Sequence, residues 1–265
     1  MSRGMRIHNK VLLITGASEG IGAACVDSFR RRGAKLSLTA RSRERLEQVG
    51  GSDALITAGD ITDPDTRRQV VDRTLERFGR VDILVNSAGV GLYDPAWRSP
   101  LPLARRMFEL NLFAALAMIQ LVVPHMRRQK QGAIVNVSSI AGKVTFPWFT
   151  LYSASKYAVC SLTDGLRMEL HAAGIHAMTV CPGYVRTNFS AHVLGGSRPE
   201  GLPSSKTFSV SAEQCAEDIA WGVERQARTV VTPRIGWLLI AVARLLPSFL
   251  DARLAAVHNR MERDG

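Results

Sequence analysis

What the chain lacks narrows the field first. Cysteine is scarce: Cys25, Cys160, Cys181 and Cys215 are the four in 265 residues, widely scattered, with no Cys-x-x-Cys and no Cys/His cluster. That argues against a disulfide framework and against a bound metal such as zinc, and it fits free thiols in the reducing cytoplasm. No apolar stretch stands between Met1 and Lys10, so no secretory signal is read there. No uninterrupted apolar run reaches the roughly 20 residues of a membrane-spanning helix. Repeats, low-complexity tracts and linker-like breaks are missing, so nothing divides the chain into several domains. Acidic residues are in deficit, 23 against 34 Lys and Arg, for a net charge of +11. Such a balance raises the question of nucleic acid or an anionic membrane surface. The cations are dispersed, however, as in Arg30–Arg32, Arg67–Arg68, Arg105–Arg106 and Arg127–Arg128, and most fall near predicted helix ends. No basic motif interleaved with aromatics stands out, and no nucleic-acid partner is expected.

What is present reads as one large α/β domain over residues 1–265, with ordinary hydrophobic (46%) and charged (22%) content for a globular protein. Short apolar or β-rich runs at 11–15, 35–40, 54–58, 81–85, 132–137 and 176–181 predict strands. Helical patterns at 23–33, from Thr62 or Asp63 to 78, at 101–128 and at 152–171 separate them. The alternation implies a parallel sheet, doubly wound in the Rossmann manner, with helices on both faces. Ligands in such sheets bind at the carboxyl ends of the strands, and the chain's polar and glycine features concentrate there.

The first strand runs directly into Gly16-Ala17-Ser18-Glu19-Gly20-Ile21-Gly22 and a helix. Glycines let backbone approach a phosphate, and a helix N-terminus offers free N–H groups. The second strand ends at Ala40-Arg41-Ser42-Arg43. A carboxylate for ribose hydroxyls is absent there, and Arg41 is placed for a 2′-phosphate. The competing reading is a plain helix-start charge cluster, and Glu19 brings a negative charge near the phosphates. Further along, Ser139 follows the strand at 132–137, and Tyr152 and Lys156 lie four apart on a predicted helix. That trio suits proton transfer to a carbonyl, because an ammonium beside a phenol is expected to lower its pKa. The plain alternative is a core tyrosine and an exposed lysine at a helix start.

Taken in order, Thr15 to Gly22, Asn86-Ser87-Ala88-Gly89, Asn111, Ser139, Tyr152-Ser153-Ala154-Ser155-Lys156 and Pro182-Gly183 resemble the motif set of the short-chain dehydrogenase/reductase family, over about residues 8–232. The resemblance implies hydride transfer between a nicotinamide and a carbonyl or secondary alcohol. It implies Tyr152 as acid/base, Lys156 as its pKa modulator and ribose contact, Ser139 as the group orienting the carbonyl, and Asn111 as support for a proton-relay water. It implies a cofactor cleft built from Gly16, Ser18, Glu19, Gly20, Ile21, Gly22, Arg41, Ser42, Asp60, Ile61, Asn86, Ala88, Gly89, Tyr152, Lys156, Pro182, Gly183, Val185 and Thr187. Arg41 matches the NADP-preferring pattern; Ser87 stands where the common pattern has Asn, and Glu19 where some NADP-preferring members carry a basic residue. Homodimers or homotetramers built on the helices of Asn111 and Tyr152 are implied as well. A redox-silent NADP-binding regulator on the same fold is the alternative, and a dehydratase or epimerase of the wider family is a weaker one.

Two segments are left for the substrate. The stretch 184–210 is rich in Gly, Ser and Pro and long for a connection, which predicts a lid or binding loop. Phe189, His192 and Leu194 are candidates to face a substrate, with His192 read as a surface histidine. Phe146, Trp148 and Phe149 are read equally as pocket wall or core. Residues 235–250, within an apolar helical segment at 234–262, are almost wholly apolar. They predict a helix that covers the cleft, forms an interface or makes a peripheral membrane contact. Either way a bulky apolar ketone, lipid-like or steroid-like, is the expected substrate.

Overall fold

The structure is a computed structural model and describes residues 4–195 and 209–263. Its frame is a seven-stranded parallel sheet with strands β1 (Val11–Thr15), β2 (Lys35–Ala40), β3 (Leu55–Ala58), β4 (Ile83–Asn86), β6 (Gly132–Val137), β7 (Ile175–Pro182) and β11 (Thr229–Thr232). The spatial order is β3-β2-β1-β4-β6-β7-β11, so the order reverses beside β1 and a crevice opens between the carboxyl ends of β1 and β4. Every residue of β1, β4 and β6 is buried. That is why these strands read as unbroken apolar runs rather than as alternations: helices cover both faces.

On one face lie α1 (Gly20–Arg31), α2 (Arg43–Gly50) and α7 (Ala212–Arg225), where Val26, Phe29, Ile219 and Val223 pack on β1 and β4. On the other lie α3 (Pro64–Phe78), α5 (Ala114–Gln129) and α6 (Thr150–Glu169), closing over Val70, Met118, Val122 and Leu166. Helix α3 shows how local sequence sets an element. Asp63 accepts from the backbone N–H groups of Asp65 and Thr66, Pro64 opens the first turn, and Gly79 (φ +73°) ends it in the left-handed conformation.

Differences from the sequence reading have physical causes. The helix expected at 101–128 is three pieces: α4 (Leu101–Phe108), a π-helical turn at Glu109–Phe113, and α5. The wider turn carries Asn111 inward, where its amide meets both backbone groups of Val90. The whole stretch Leu101–Gln129 is long and apolar enough to cross a membrane by length and composition. In this fold one side of it packs into the core through Met118, Ile119, Val122 and Met126, and 33% of its apolar stretch is buried. Strand β4 begins at Ile83 rather than at 81; beside it the Asp82 backbone still bonds Val11 and Ala133, and its carboxylate accepts the Val11 N–H at 2.9 Å and is held by Lys10 and Arg80. Strand β11 and helix α7 were not anticipated.

Short pairings tie the segment after β7 across the crevice. Strand β5 (Leu92–Tyr93) pairs with β9 (Leu194–Gly195), and β8 (Tyr184–Arg186) with β10 (Ser209–Ser211). Of the expected substrate loop at 184–210, residues 196–208 lie outside the described residues. The apolar C-terminal segment forms α8 (Gly236–Leu245) and α9 (Pro247–Arg263).

Candidate active site

One cleft of about 920 Å³ opens at the carboxyl ends of the strands. Its nucleotide end is a backbone surface. At Gly16 (φ +69°) an added Cβ would come within 2.8 Å of the Ala88 backbone, and at Gly22 within 2.1 Å of the Gly16 carbonyl oxygen. Only glycine permits the turn to lie this close to its neighbours. Helix α1 opens beyond it at Gly20 with no side-chain cap on its N–H groups, which leaves donors and the positive dipole end for an anion.

The rim of this end is cationic and graded. Arg41 is exposed and, among the described residues, has no ion pair or hydrogen bond. Arg43 meets Glu47, and Arg45 meets Glu19 at 3.2 Å. Glu19 also bridges to His192 at 3.2 Å, which joins the glycine turn to the segment after β8. Arg45 and Tyr93 line the cleft and were not anticipated. Ser18, Glu19, Gly20, Ile21, Ser42, Asp60, Ile61, Ala88, Gly89, Pro182, Gly183, Val185 and Thr187 line it as expected. The Asp60 carboxylate is turned onto the Thr62 N–H and hydroxyl, at 2.9 and 2.8 Å.

At the middle of the cleft Ser139, Tyr152 and Lys156 converge. Strand β6 delivers Ser139, whose Oγ accepts the Ala141 N–H at 3.1 Å and caps a short helical turn at Ile140–Gly142. Helix α6 delivers the other two from successive turns. Lys156 Nζ donates to the Val137 carbonyl at 3.0 Å and sits 5.7 Å from the centre of the Tyr152 ring. Two of its three N–H bonds are left for the cleft. Burial brings Lys156 down to about 8, with Cys160 and Cys181 pulling weakly upward. Burial likewise pushes the Tyr152 phenol above its ordinary value, and the hydrogen bond from Ser139 only partly offsets this. The expected lowering of the phenol by its ammonium neighbour is therefore not what the chain alone produces. Desolvation dominates, since both side chains are buried at the base of the cleft.

Three expected residues stand behind the wall rather than on it. Asn111 is buried, and its amide is engaged by Val90 and by the Ser155 hydroxyl at 3.1 Å. Asn86 donates to Asn136 at 2.9 Å. Gly22 packs on Gly16. These are supports for the surfaces at Gly16, Gly89 and Val90, and a sequence motif alone does not separate support from contact.

The far end of the cleft is apolar. Tyr93, Phe149 and Tyr152 stack in series, with centroids 4.6 and 4.2 Å apart, and Phe189 meets Tyr152 edge-on at 5.8 Å. Phe146, Leu194, Leu239, Leu254 and Val257 extend this apolar lining, so the C-terminal helices roof the chamber, while Arg106, Glu109, Asn188 and Ser190 add polar groups to the cleft wall. Trp148 turns away: Arg98 lies over its ring at 5.1 Å, and the ring tilts against His258. His192 lies on the rim and pairs with Glu19, which fits the surface reading.

A doubly wound sheet, a glycine turn at its switch point, and a Ser/Tyr/Lys group beside it, its tyrosine and lysine buried, define a dinucleotide-dependent oxidoreductase. The family model for short chain dehydrogenases matches residues 10–195, and the chain belongs to that family. It is similar to Dehydrogenase/reductase SDR family member 7B of Mus musculus, 32% identical over 97% of this chain and 83% of the mouse protein. It is similar also to 11-beta-hydroxysteroid dehydrogenase 1A of Arabidopsis thaliana, 33% identical over 86% and 69%. Among solved structures, a short chain dehydrogenase from Burkholderia cenocepacia in complex with NADP superposes with a TM-score of 0.81 at 26% identity, over 94% of this chain and 99% of the other. A short chain dehydrogenase/reductase from Burkholderia phymatum in complex with NAD also reaches 0.81, at 25% identity over 94% and 96%. The chain is thus an oxidoreductase of the short-chain type that works with a nicotinamide cofactor.

Proposed function

We propose that the protein reduces bulky apolar ketones with NADPH. The observation that carries this is the position of Ser139, Tyr152 and Lys156 at the junction between a phosphate-binding turn and an aromatic, apolar chamber. A nicotinamide dinucleotide fits the residues present: the Gly16–Gly22 cradle would take the pyrophosphate, Asp60 and Ile61 the adenine, and Arg41 the 2′-phosphate. When bound it supplies the hydride.

The chain supplies the rest. The Ser139 hydroxyl, already hydrogen-bonded to Tyr152, orients the carbonyl oxygen. Tyr152 donates the proton to that oxygen; its raised pKa keeps the phenol loaded at neutral pH, the state a reduction needs. Lys156 holds the ribose through its free N–H bonds, and its charge favours the phenolate left after transfer. Asn111 steadies the stretch at Val90 and the turn of α6 at Ser155, against which a relay water would rest.

Substrate class is read from the chamber, and the hydroxysteroid named for the Arabidopsis relative supports a fused-ring or lipid-like ketone. Four buried free thiols fit a cytoplasmic setting. A homodimer or homotetramer through α5 and α6 is favoured by exposed Phe113 and Tyr157 on and beside them. The test is a panel of ketones, short and polar to long and apolar, with NADPH oxidation followed by absorbance, alongside Tyr152→Phe. The variant is expected to bind NADPH as the parent does and to turn over at least a thousandfold more slowly, by order of magnitude. Near-parental turnover overturns the mechanism. NADPH binding with no reduction anywhere on the panel marks a redox-silent regulator.

A further inference from the structure

The C-terminal helices have two unlike sides. Their inner residues recur at helical spacing: Gly236, Leu239, Ile240 and Ala243 on α8, then Leu250, Leu254 and Val257 on α9. Ile240 is buried with Val144, Cys160, Cys181 and Val231, while Leu239, Leu254 and Val257 line the substrate chamber. The pair is therefore fastened to the fold by its own apolar stripe, and that stripe does not account for the residues opposite.

Opposite, positions 237, 238, 241, 244 and 245 share the outer face of α8. Trp237, Leu238 (64% exposed) and Leu245 (78%) are open to solvent, and Leu246 and Phe249 continue the surface into α9. An exposed tryptophan, phenylalanine and three leucines on one helical pair exceed the scattered singletons of an ordinary surface. Charge accompanies them. Over 234–256 the chain has Arg234, Arg244 and Arg253 against the single acid Asp251. The Arg253 guanidinium lies 5.3 Å over the Phe249 ring, and all three arginines are exposed. Apolar side chains bordered by arginines, with a tryptophan among them, are the features of a helix lying in a membrane interface.

We infer that the outer face of α8 and the start of α9 dock on an anionic lipid bilayer, with Trp237, Leu238, Leu245 and Phe249 entering the acyl boundary and the three arginines meeting acidic headgroups. A second copy of this chain is the other occupant to consider. The arginines decide against it, because a self-pairing face would set them against one another with one acid between them.

The experiment is co-sedimentation of the full chain with phosphatidylcholine vesicles, with and without phosphatidylserine, at low and high salt. The expected result is pelleting with phosphatidylserine vesicles at low salt, weakened at high salt as screening grows. Arg234→Ala/Arg244→Ala/Arg253→Ala is expected to weaken that binding about a hundredfold, at about fivefold per arginine. Leu238→Ser/Leu245→Ser/Phe249→Ser is expected to abolish it at both salts while thermal unfolding and NADPH binding stay as in the parent. A parent that remains in the supernatant at low salt overturns the proposal, as do two triple variants that pellet like the parent. Self-association in the ultracentrifuge that is lost in the serine triple, without vesicle binding in the parent, assigns the face to a second copy instead. None of these readings uses turnover, so they stand apart from the fate of the ketone-reductase reading.

Discussion

Arg41 and Arg45 are separated by about one helical turn, yet only one is at liberty. Glu19 holds Arg45, whereas Arg41 has no partner among the described residues. Charge-assisted bonds are worth roughly 1.5–3 kcal/mol, so Arg41→Ala is expected to weaken NADPH about ten- to a hundredfold and to leave NADH nearly unchanged. Fluorescence titration with both cofactors checks it; equal losses would make Arg41 structural. Glu19→Gln is expected to act the opposite way, releasing Arg45 and raising the preference for NADPH. Lys156 gives a pH signature. Its folded value of about 8 lies below the ordinary 10.5, so the ammonium that receives the cofactor is lost as pH rises through about 8. NADPH affinity is expected to fall as pH rises above that point, by at most about tenfold per pH unit. Lys156→Met should bind weakly at every pH, with that slope gone. These residue identities were legible because each rests on local spacing: a glycine turn after a strand, a cation after the next, Tyr and Lys four apart. Arg45 and Tyr93 were not legible, since each reaches the cleft only through contacts made by distant parts of the chain.

Elements were legible where apolar pattern and end signals agreed, as for α3 with Asp63, Pro64 and Gly79. They were obscure where tertiary partners set the boundary. The helical pattern continues from α4 into α5, and nothing local in Glu109–Phe113 separates a π-helical turn from an ordinary one until Asn111 meets Val90. Thr229–Thr232 is four β-branched residues, too short to separate from a loop until β7 pairs with it. Asp82 shows the same dependence and yields a test. Its carboxylate is fully buried, accepts the Val11 N–H, and is held by Arg80 at 2.6 Å and Lys10 at 3.3 Å. Asp82→Ala would strand that N–H inside the sheet. The expected loss is about 2 kcal/mol in urea unfolding, less than for a fully dry ion pair because Arg80 is half exposed. A loss below about 0.5 kcal/mol would show that solvent satisfies the strand end.

Across the whole molecule, α1 and α7 are joined by Glu217, whose carboxylate lies 2.7 Å from Arg32 and also meets Arg31. The Arg32 hydrogen bond, chiefly, brings Glu217 from 4.5 to about 2. The folded value is the lower one, so the contribution is complete above about pH 4.5 and is lost as pH falls towards 2. With a third of the side chain in water, screening limits it to about 1 kcal/mol. Glu217→Gln is expected to lower the thermal midpoint at pH 7 and to match the parent near pH 2; a constant gap would show that packing, not charge, is at work. At this scale too, the chamber's roof was read from sequence only as an apolar segment of open role, because what α8 and α9 cover depends on where the sheet places Ser139. On the proposed docking, their two sides would couple admission to location. With the outer side on a bilayer and the inner side lining the chamber, the concentration the enzyme samples is substrate per lipid, not substrate per litre. Adding inert vesicles at constant total ketone is then expected to slow turnover by surface dilution, whereas adding buffer to a vesicle suspension leaves the rate per bound enzyme unchanged.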